Sequence, residues 1–121
     1  MFTIDEISAL LDEAACEIPP ELYGELNGGV NLLPDAKNHA ADGLCVLGEY
    51  RHDGMGRYIV IYYGSICAIY PQLGRAEMKE RLKKLLLHEL THHIESLAGE
   101  HGLDDKDRRD IERYMRGKRE R

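Results

Sequence analysis

Two histidines and a glutamate stand in this sequence with the spacing of a metal site. His88 and His92 enclose Glu89 in the stretch His88-Glu89-Leu90-Thr91-His92. Residues four apart on an α-helix lie about 40° apart around its axis, so both imidazoles can bind one Zn²⁺ from the same side. Glu89, about 100° from His88, can act as a general base on a zinc-bound water, whose pKa zinc lowers to about 7. The pattern predicts a zinc cofactor held by His88 and His92, with Glu89 as the catalytic residue.

The element that must carry these residues is an amphipathic helix. Its hydrophobic periodicity predicts a helix over about 75–98, closed by Gly99 in the left-handed conformation. Large apolar residues line one side of this helix and the histidines lie almost opposite. The alternative interpretation is that the histidines belong to a solvated polar face and bind no metal. Leu85 and Leu87 widen the apolar stripe just before His88 and favour an enclosed, metal-binding helix over that alternative. His93 points about 100° away from His92 and is expected to have a structural or supporting role.

The N-terminal half predicts one helix followed by a mostly irregular stretch. Thr3 and Glu6 have the spacing of a capping box, and apolar residues at helical spacing follow as far as Ile18. Two prolines, at positions 19 and 20, end this helix. The glycine-rich stretch 21–42 is expected to be mostly loop, with 30–33 as its only short strand.

Strands and a last helix are predicted around the motif helix. The runs 44–51 and 57–63 are rich in β-branched and aromatic residues, and the glycines between them favour a hairpin turn. Residues 65–70 are expected to add a third strand. A final helix over about 104–115 has acidic residues at its start and basic residues at its end, as the helix dipole favours.

Composition limits the classes of protein that this chain can belong to. The 121 residues are 43% hydrophobic and 31% charged, with a net charge of −6, which predicts one globular domain over 1–121 and argues against nucleic acid as a partner. No apolar run approaches the ~18 residues of a membrane span, and the acidic start is unlike a signal peptide. We therefore expect a cytoplasmic protein with no membrane partner, in which the three cysteines stay reduced.

Several segments of the chain together resemble the small bacterial zincin-like metallopeptidase family. The segments that carry the resemblance are 85–99 around the histidines, Ile18-Pro19-Pro20-Glu21, Asn27-Gly28-Gly29-Val30, Leu47-Gly48-Glu49-Tyr50 and 57–64. The resemblance covers nearly the whole chain. It implies an α+β, minimal zincin-like fold, in which a small, mainly antiparallel sheet packs on the active-site helix and N- and C-terminal helices flank them.

The sequence departs from that family at the third metal ligand. Shorter members look like H-E-x-x-H-H-F-G-x-x-D, whereas Ile94 and Glu95 stand here at the Phe and Gly places. Glu95 lies about 10 Å along the helix axis from His88, which favours a supporting role for its carboxylate. Asp104 is the predicted third metal ligand, because it lies at the N-terminal edge of the last helix, after a chain reversal. The alternatives are Asp105, Asp107, Glu95 and His101.

Two functions follow from these observations, and a third needs no metal. The first is a zinc-dependent metallopeptidase-type hydrolase, an enzyme acting on a peptide or protein substrate that pairs with an exposed strand edge. The alternative is a non-catalytic, zinc-containing module of the same fold that binds a peptide or protein. A metal-free helical-hairpin interaction domain is the third. The sequence indicates neither the substrate nor the oligomeric state.

Overall fold

The computed structural model describes residues 1–101 and Arg113, and this part of the chain is an α+β domain. In chain order its elements are α1 (Ile4–Cys16), a 3-10 helix (Pro20–Tyr23), β1 (Gly29–Leu33), β2 (Lys37–Asn38), β3 (Cys45–Val46), β4 (Gly48–Asp53), β5 (Gly56–Tyr62), α2 (Tyr63–Ile69) and α3 (Arg75–His101). Except for Arg113, the helix predicted over 104–115 lies outside the described residues.

The predicted capping box opens α1. The Glu6 N–H donates to Thr3 Oγ1 at 3.2 Å, and the Thr3 N–H donates to Glu6 Oε1 at 2.9 Å. These bonds satisfy two N–H groups that the first helical turn leaves without partners. The helix ends at Cys16, earlier than the prolines, because a proline disfavours helical backbone in the residue before it.

Strand β5 is the centre of a three-stranded sheet of order β1-β5-β4. It runs antiparallel to β4, which confirms the predicted hairpin, and parallel to β1, which confirms the predicted short strand. The sheet is therefore mixed, because one of the two neighbours of β5 is parallel to it, and the mainly antiparallel sheet that the resemblance implied is wrong for these three strands. The stretch expected to be mostly loop also holds β2, which pairs with β3 in a separate two-stranded sheet.

The strand predicted over residues 65–70 is wrong, because these residues belong mainly to α2. A loop packs directly against the chain as it leaves β5. The Gly64 N–H donates to the Asp35 carbonyl at 3.0 Å, and the fully buried Ser65 hydroxyl accepts from the Lys37 N–H at 2.9 Å. These long-range bonds hold the first turn of α2, and a short apolar run does not by itself distinguish helix from strand.

The motif helix has the predicted start but not the predicted end. It begins at Arg75 and continues through Gly99 to His101, so the expected left-handed cap is wrong. Gly99 is exposed, and a Cβ built on it would meet no atom within 4 Å. A glycine inside a helix costs only about 1 kcal/mol relative to alanine, which a helix packed along most of its length tolerates.

The core lies between α1, α3 and one face of the sheet. Its fully buried members include Ile7 and Leu10 from α1, Ile59 and Ile61 from β5, and Leu82, Leu86 and Leu90 from α3. We call the sheet face toward α3 the inner face; it carries Tyr50, Arg57, Ile59 and Ile61. The outer face carries Glu49, Arg51, Tyr58, Val60 and Tyr62. Within the described residues, none of the helices combines the length and the apolar character that a membrane crossing requires.

Candidate metal centre

The two motif histidines lie side by side on the solvent side of α3. Both are exposed, and their ring centroids are 4.9 Å apart with the planes at 88°. The i, i+4 spacing produces this contact directly, as the sequence predicted. Neutral imidazole nitrogens are among the usual ligands of zinc, so His88 and His92 fit a shared zinc ion by the chemistry of their donors.

Glu89 lies beside the histidines but points into the protein. Its side chain is buried, with 5% of the residue exposed, and it accepts a hydrogen bond from the Tyr50 N–H of β4. Burial raises the pKa of Glu89 to about 7; the Tyr50 bond opposes this rise and the negative charge of Glu49 adds to it. A carboxyl with this pKa can take up or release a proton at neutral pH.

The Tyr50 N–H is available to Glu89 because β4 lies at the edge of its sheet. The Tyr62 N–H donates to the Leu47 carbonyl at 2.9 Å, and Glu49 pairs with Val60. Since bonding alternates along an antiparallel strand, the odd-numbered residues of β4 bond to β5 and the polar backbone of Tyr50 points to the open edge. The helix thus inserts one carboxylate under the sheet edge.

His93 is fully buried behind the motif. Its Nε2 lies 2.7 Å from the Gly24 carbonyl and its Nδ1 lies 2.9 Å from the Tyr50 hydroxyl. A carbonyl only accepts, so Nε2 carries the proton and Nδ1 accepts from the tyrosine. Burial lowers the pKa of His93 and favours this neutral form. Both ring nitrogens are thereby used within the fold, in agreement with the structural role expected from the sequence.

Arg57 continues this chain of hydrogen bonds across the inner face. Its Nη1 donates to the Tyr50 hydroxyl at 2.9 Å and to Ser96 Oγ at 2.5 Å, and the residue is 5% exposed. Sequence reasoning singled out neither Tyr50 nor Arg57. The signal that could have found them is strand alternation, since Tyr50 and the adjacent Arg57 share the face that β5 uses for Ile59.

The third metal ligand is not assigned by the described residues. Asp104, the predicted ligand, lies outside them, as do Asp105, Asp107 and the side chain of His101. Glu95 is exposed on α3. Over residues 1–99 and Arg113, no three His, Cys, Asp or Glu side chains are grouped so as to hold a metal ion. The choice among the candidates therefore stays a prediction.

Comparison with known proteins gives a relationship but no activity. No protein-family model matches the chain, and no curated protein matches it. A solved structure described as a conserved hypothetical protein (TTHA0227) from T. thermophilus is similar, with a TM-score of 0.67 and 30% sequence identity. The similarity covers 80% of this chain and 98% of the other. The chain therefore belongs to the same family as this conserved hypothetical protein.

Proposed function

We propose that the protein is a zinc-dependent metallopeptidase-type hydrolase with a minimal zincin-like fold. The observation that carries the proposal is the division of the motif into two adjacent parts. His88 and His92 form an exposed imidazole pair with centroids 4.9 Å apart, and Glu89 lies next to them, buried under the sheet edge. Ligands for a metal and a carboxyl able to exchange protons at neutral pH are thus adjacent on one helix.

Each residue has a distinct role in this proposal. His88 and His92 hold the zinc, with Asp104 as the proposed third ligand. When bound, zinc supplies a Lewis acid that polarises a carbonyl and makes water more acidic. Glu89 accepts the proton from the attacking water at a carboxylate oxygen, and its pKa of about 7 leaves a substantial ionised fraction at neutral pH. The Tyr50 N–H orients that carboxylate through its hydrogen bond.

The open edge of β4 suits a peptide or protein substrate. The alternation described above directs the backbone of Gly48, Tyr50 and His52 away from β5; the Tyr50 N–H bonds to Glu89, and the Tyr50 carbonyl remains directed to the open edge. An extended peptide can add to such an edge through main-chain hydrogen bonds, which hold it without demanding a particular sequence. We propose this edge, next to the helix that carries Glu89, as the substrate position.

The metal assignment is tested by zinc content after purification without added metal. We expect stoichiometric zinc in the wild type and loss of most of it in His88→Ala and in His92→Ala, because each variant removes one ligand of a small ligand set. His39→Ala is the matched control, since His39 is an exposed histidine in a loop. Inductively coupled plasma mass spectrometry gives the result, and unchanged zinc in both motif variants would contradict the site.

The catalytic assignment is tested by Glu89→Gln. The amide is nearly isosteric and should keep the fold and the zinc, but it cannot take a proton from water. A peptide-library cleavage assay followed by mass spectrometry should show cleavage by the wild type and none by the variant. Equal cleavage by both proteins would exclude Glu89 as the base.

The third metal ligand is tested by comparing the zinc affinities of three variants in which one aspartate is replaced by asparagine. Asp104→Asn should weaken zinc binding, whereas Asp105→Asn and Asp107→Asn should leave it near the wild-type value. Zinc titration against a competing chelator measures the three affinities under one set of conditions. A loss confined to position 105 or 107 would move the assignment to that residue.

One observation favours the second candidate, a zinc-containing binding module without catalysis. Glu89 is only 5% exposed and already accepts a backbone hydrogen bond, a position in which a carboxyl can also serve packing alone. The two candidates differ in the metal's coordination. A catalytic zinc keeps a position open to water and a structural zinc is closed by protein ligands, so X-ray absorption spectroscopy of the zinc protein distinguishes them.

A further inference from the structure

A small cavity opens on the outer face of the sheet, on the side opposite α3. Its volume is about 240 Å³, below the ~300–1,000 Å³ of pockets for drug-sized ligands. All three strands of the sheet and the hairpin turn contribute to it. The lining residues are Gly28, Asn31, Leu33, Arg51, Met55, Tyr58 and Val60. We call it the outer-face pocket.

The strand register explains why these residues converge. Tyr58 and Val60 of the central strand lie opposite Gly29 and Asn31 of β1, and Tyr58 lies opposite Arg51 of β4. The absence of a side chain at Gly28 gives Tyr58 its place, because a Cβ there would lie 2.7 Å from the Tyr58 Cβ. The pocket thus has Val60 and Leu33 as apolar surface, and one cationic group, Arg51, at its side.

Arg51 keeps donor capacity for a ligand. Two hydrogen bonds leave from Nη2, to Glu49 Oε1 at 3.2 Å and to the Tyr62 hydroxyl at 2.9 Å, and the Tyr58 hydroxyl is a third partner of the guanidinium. A guanidinium has five N–H donors arranged in a planar fork that matches a carboxylate. Its side chain is 40% exposed, so a ligand can reach it without unfolding the strand.

The acidic groups near the pocket already have donors of their own. Glu49 accepts from Lys37 Nζ at 2.7 Å as well as from Arg51 and Tyr62. Asp53 accepts from the Tyr58 hydroxyl at 2.6 Å and from the Met55 N–H at 2.9 Å. Neither acid lines the pocket, and within the described residues Arg51 is the one charged residue that does.

We propose that the outer-face pocket binds a carboxylate attached to a small branched apolar group, with the carboxylate on Arg51 and the apolar group against Leu33 and Val60. A single cation and a largely apolar lining suit a monoanion with an apolar body better than a phosphate dianion. The site lies across the sheet from His88 and His92, and the proposal is independent of the metal and of any hydrolase activity.

The probes are 4-methylpentanoate and a short peptide that ends in leucine with a free carboxylate. Chemical-shift titration of the ¹⁵N-labelled protein should give a Kd in the millimolar range or tighter for at least one probe, with shifts at Arg51, Tyr58 and Val60. The two probes distinguish a free acid from a peptide terminus as the source. 4-Methylpentanamide and the amidated peptide should bind at least about tenfold more weakly, because they lack the anion.

Two pairs of variants locate the site. Arg51→Gln should lower the affinity for the probe at least about tenfold. Arg75→Gln, which removes an exposed arginine bonded to Glu13, should leave that affinity unchanged. Met55 is 81% exposed in the turn, so its replacement cannot disturb the core. Met55→Asp should weaken binding by repelling the carboxylate and Met55→Asn should not, which keeps the test valid if Arg51→Gln fails to fold.

The proposal is overturned by any of three results. These are absence of saturable shifts with both carboxylate probes, equal binding of the acid and its amide, and retention of full affinity when Met55 becomes aspartate. Saturable binding in the millimolar range or tighter, with the predicted dependence on Arg51, supports it, whether or not the chain contains zinc.

Discussion

The two faces of the three-stranded sheet satisfy their polar side chains in different ways. On the inner face, Tyr50 joins the buried His93 to the buried Arg57 through a continuous line of hydrogen bonds. On the outer face, Glu49 is 29% exposed and is surrounded by Lys37, Arg51 and Tyr62. Neighbouring residues of the same strand, Glu49 and Tyr50, thus belong to two networks of opposite character.

The difference shows how burial selects the chemistry of a network. Enclosed polar groups must be fully hydrogen-bonded, since an unpaired one costs its whole desolvation energy. The inner network of Tyr50, His93 and Arg57, which we call the inner relay, accordingly holds a neutral histidine between two fixed partners. Its charged member, Arg57, is buried with Nη1 bonded to the Tyr50 and Ser96 hydroxyls. Half-exposed groups can keep full charges, because water still screens them. We therefore expect the inner face to determine stability and the outer face to determine how stability responds to pH and salt.

The largest expected effect comes from the centre of the inner relay. His93→Ala should lower the free energy of unfolding by about 3 kcal/mol, because it opens a cavity and removes the acceptor of the Tyr50 O–H and the donor to the Gly24 carbonyl. His92→Ala, one position earlier but exposed, should change it by less than about 0.5 kcal/mol in metal-free protein. Urea denaturation in chelator measures both, and similar losses would show that the relay adds nothing beyond ordinary helix packing.

A smaller effect is expected from removing one hydroxyl on each face. Tyr50→Phe should cost about 1–2 kcal/mol, since it breaks two bonds in the buried relay. Tyr58→Phe loses the more exposed bonds of this hydroxyl to Asp53 and Arg51 and should cost clearly less. Thermal and urea unfolding of the pair compare the faces directly, and an equal cost would contradict the distinction drawn between them.

The charged network of the outer face should make the free energy of unfolding depend on pH in the acid range. Burial by itself would raise the pKa of Glu49, but hydrogen bonds from Lys37, Tyr62 and Arg51 outweigh it and lower the pKa to about 2 from 4.5. Because the folded pKa is the lower one, this contribution is complete above about 4.5 and is lost as the pH falls toward 2. The stability difference between wild type and Glu49→Gln should shrink across that window, as urea unfolding at several pH values can measure. A difference that stays constant there would contradict the assignment.

The smallest expected effect is the coupling between Lys37 and Glu49. Their 2.7 Å ion pair is partly exposed, so a double-mutant cycle with Lys37→Met and Glu49→Gln should give a coupling energy that falls as salt is added. The cycle for Tyr50→Phe and His93→Gln should be insensitive to salt. The reverse pattern would mean that the two faces do not differ in screening.

Local signals predicted much of this fold. Thr3 and Glu6 indicated α1, because a capping box acts within four residues, and the glycines after Asp53 indicated the hairpin. The motif helix was also readable from its apolar stripe. The helix over Tyr63–Ile69 was not, since its first turn depends on bonds to Asp35 and Lys37, far away in sequence.

The sequence likewise predicted those parts of the candidate site that depend on local geometry, and not those that depend on tertiary contacts. The exposed pair His88 and His92 follows from helix geometry alone. The burial of Glu89 does not, because it requires the Tyr50 N–H of a strand whose edge position is set by tertiary pairing. His93 was expected to be structural, but its partners Gly24 and Tyr50 come from two other segments and no spacing rule identifies them.

The bond between Glu89 and the Tyr50 N–H also bears on how the protein avoids self-association. An open strand edge is a template on which other chains, including partly folded copies of the same one, can build intermolecular β-structure and aggregate. A carboxylate that occupies the Tyr50 N–H takes the middle one of the edge-facing N–H groups of Gly48, Tyr50 and His52. It also sets a negative charge there whenever Glu89 is ionised, and inward-pointing charge is one of the devices by which natural sheets discourage such growth. The same side chain that the proposed chemistry needs would thus also act as a guard against fibrillar assembly.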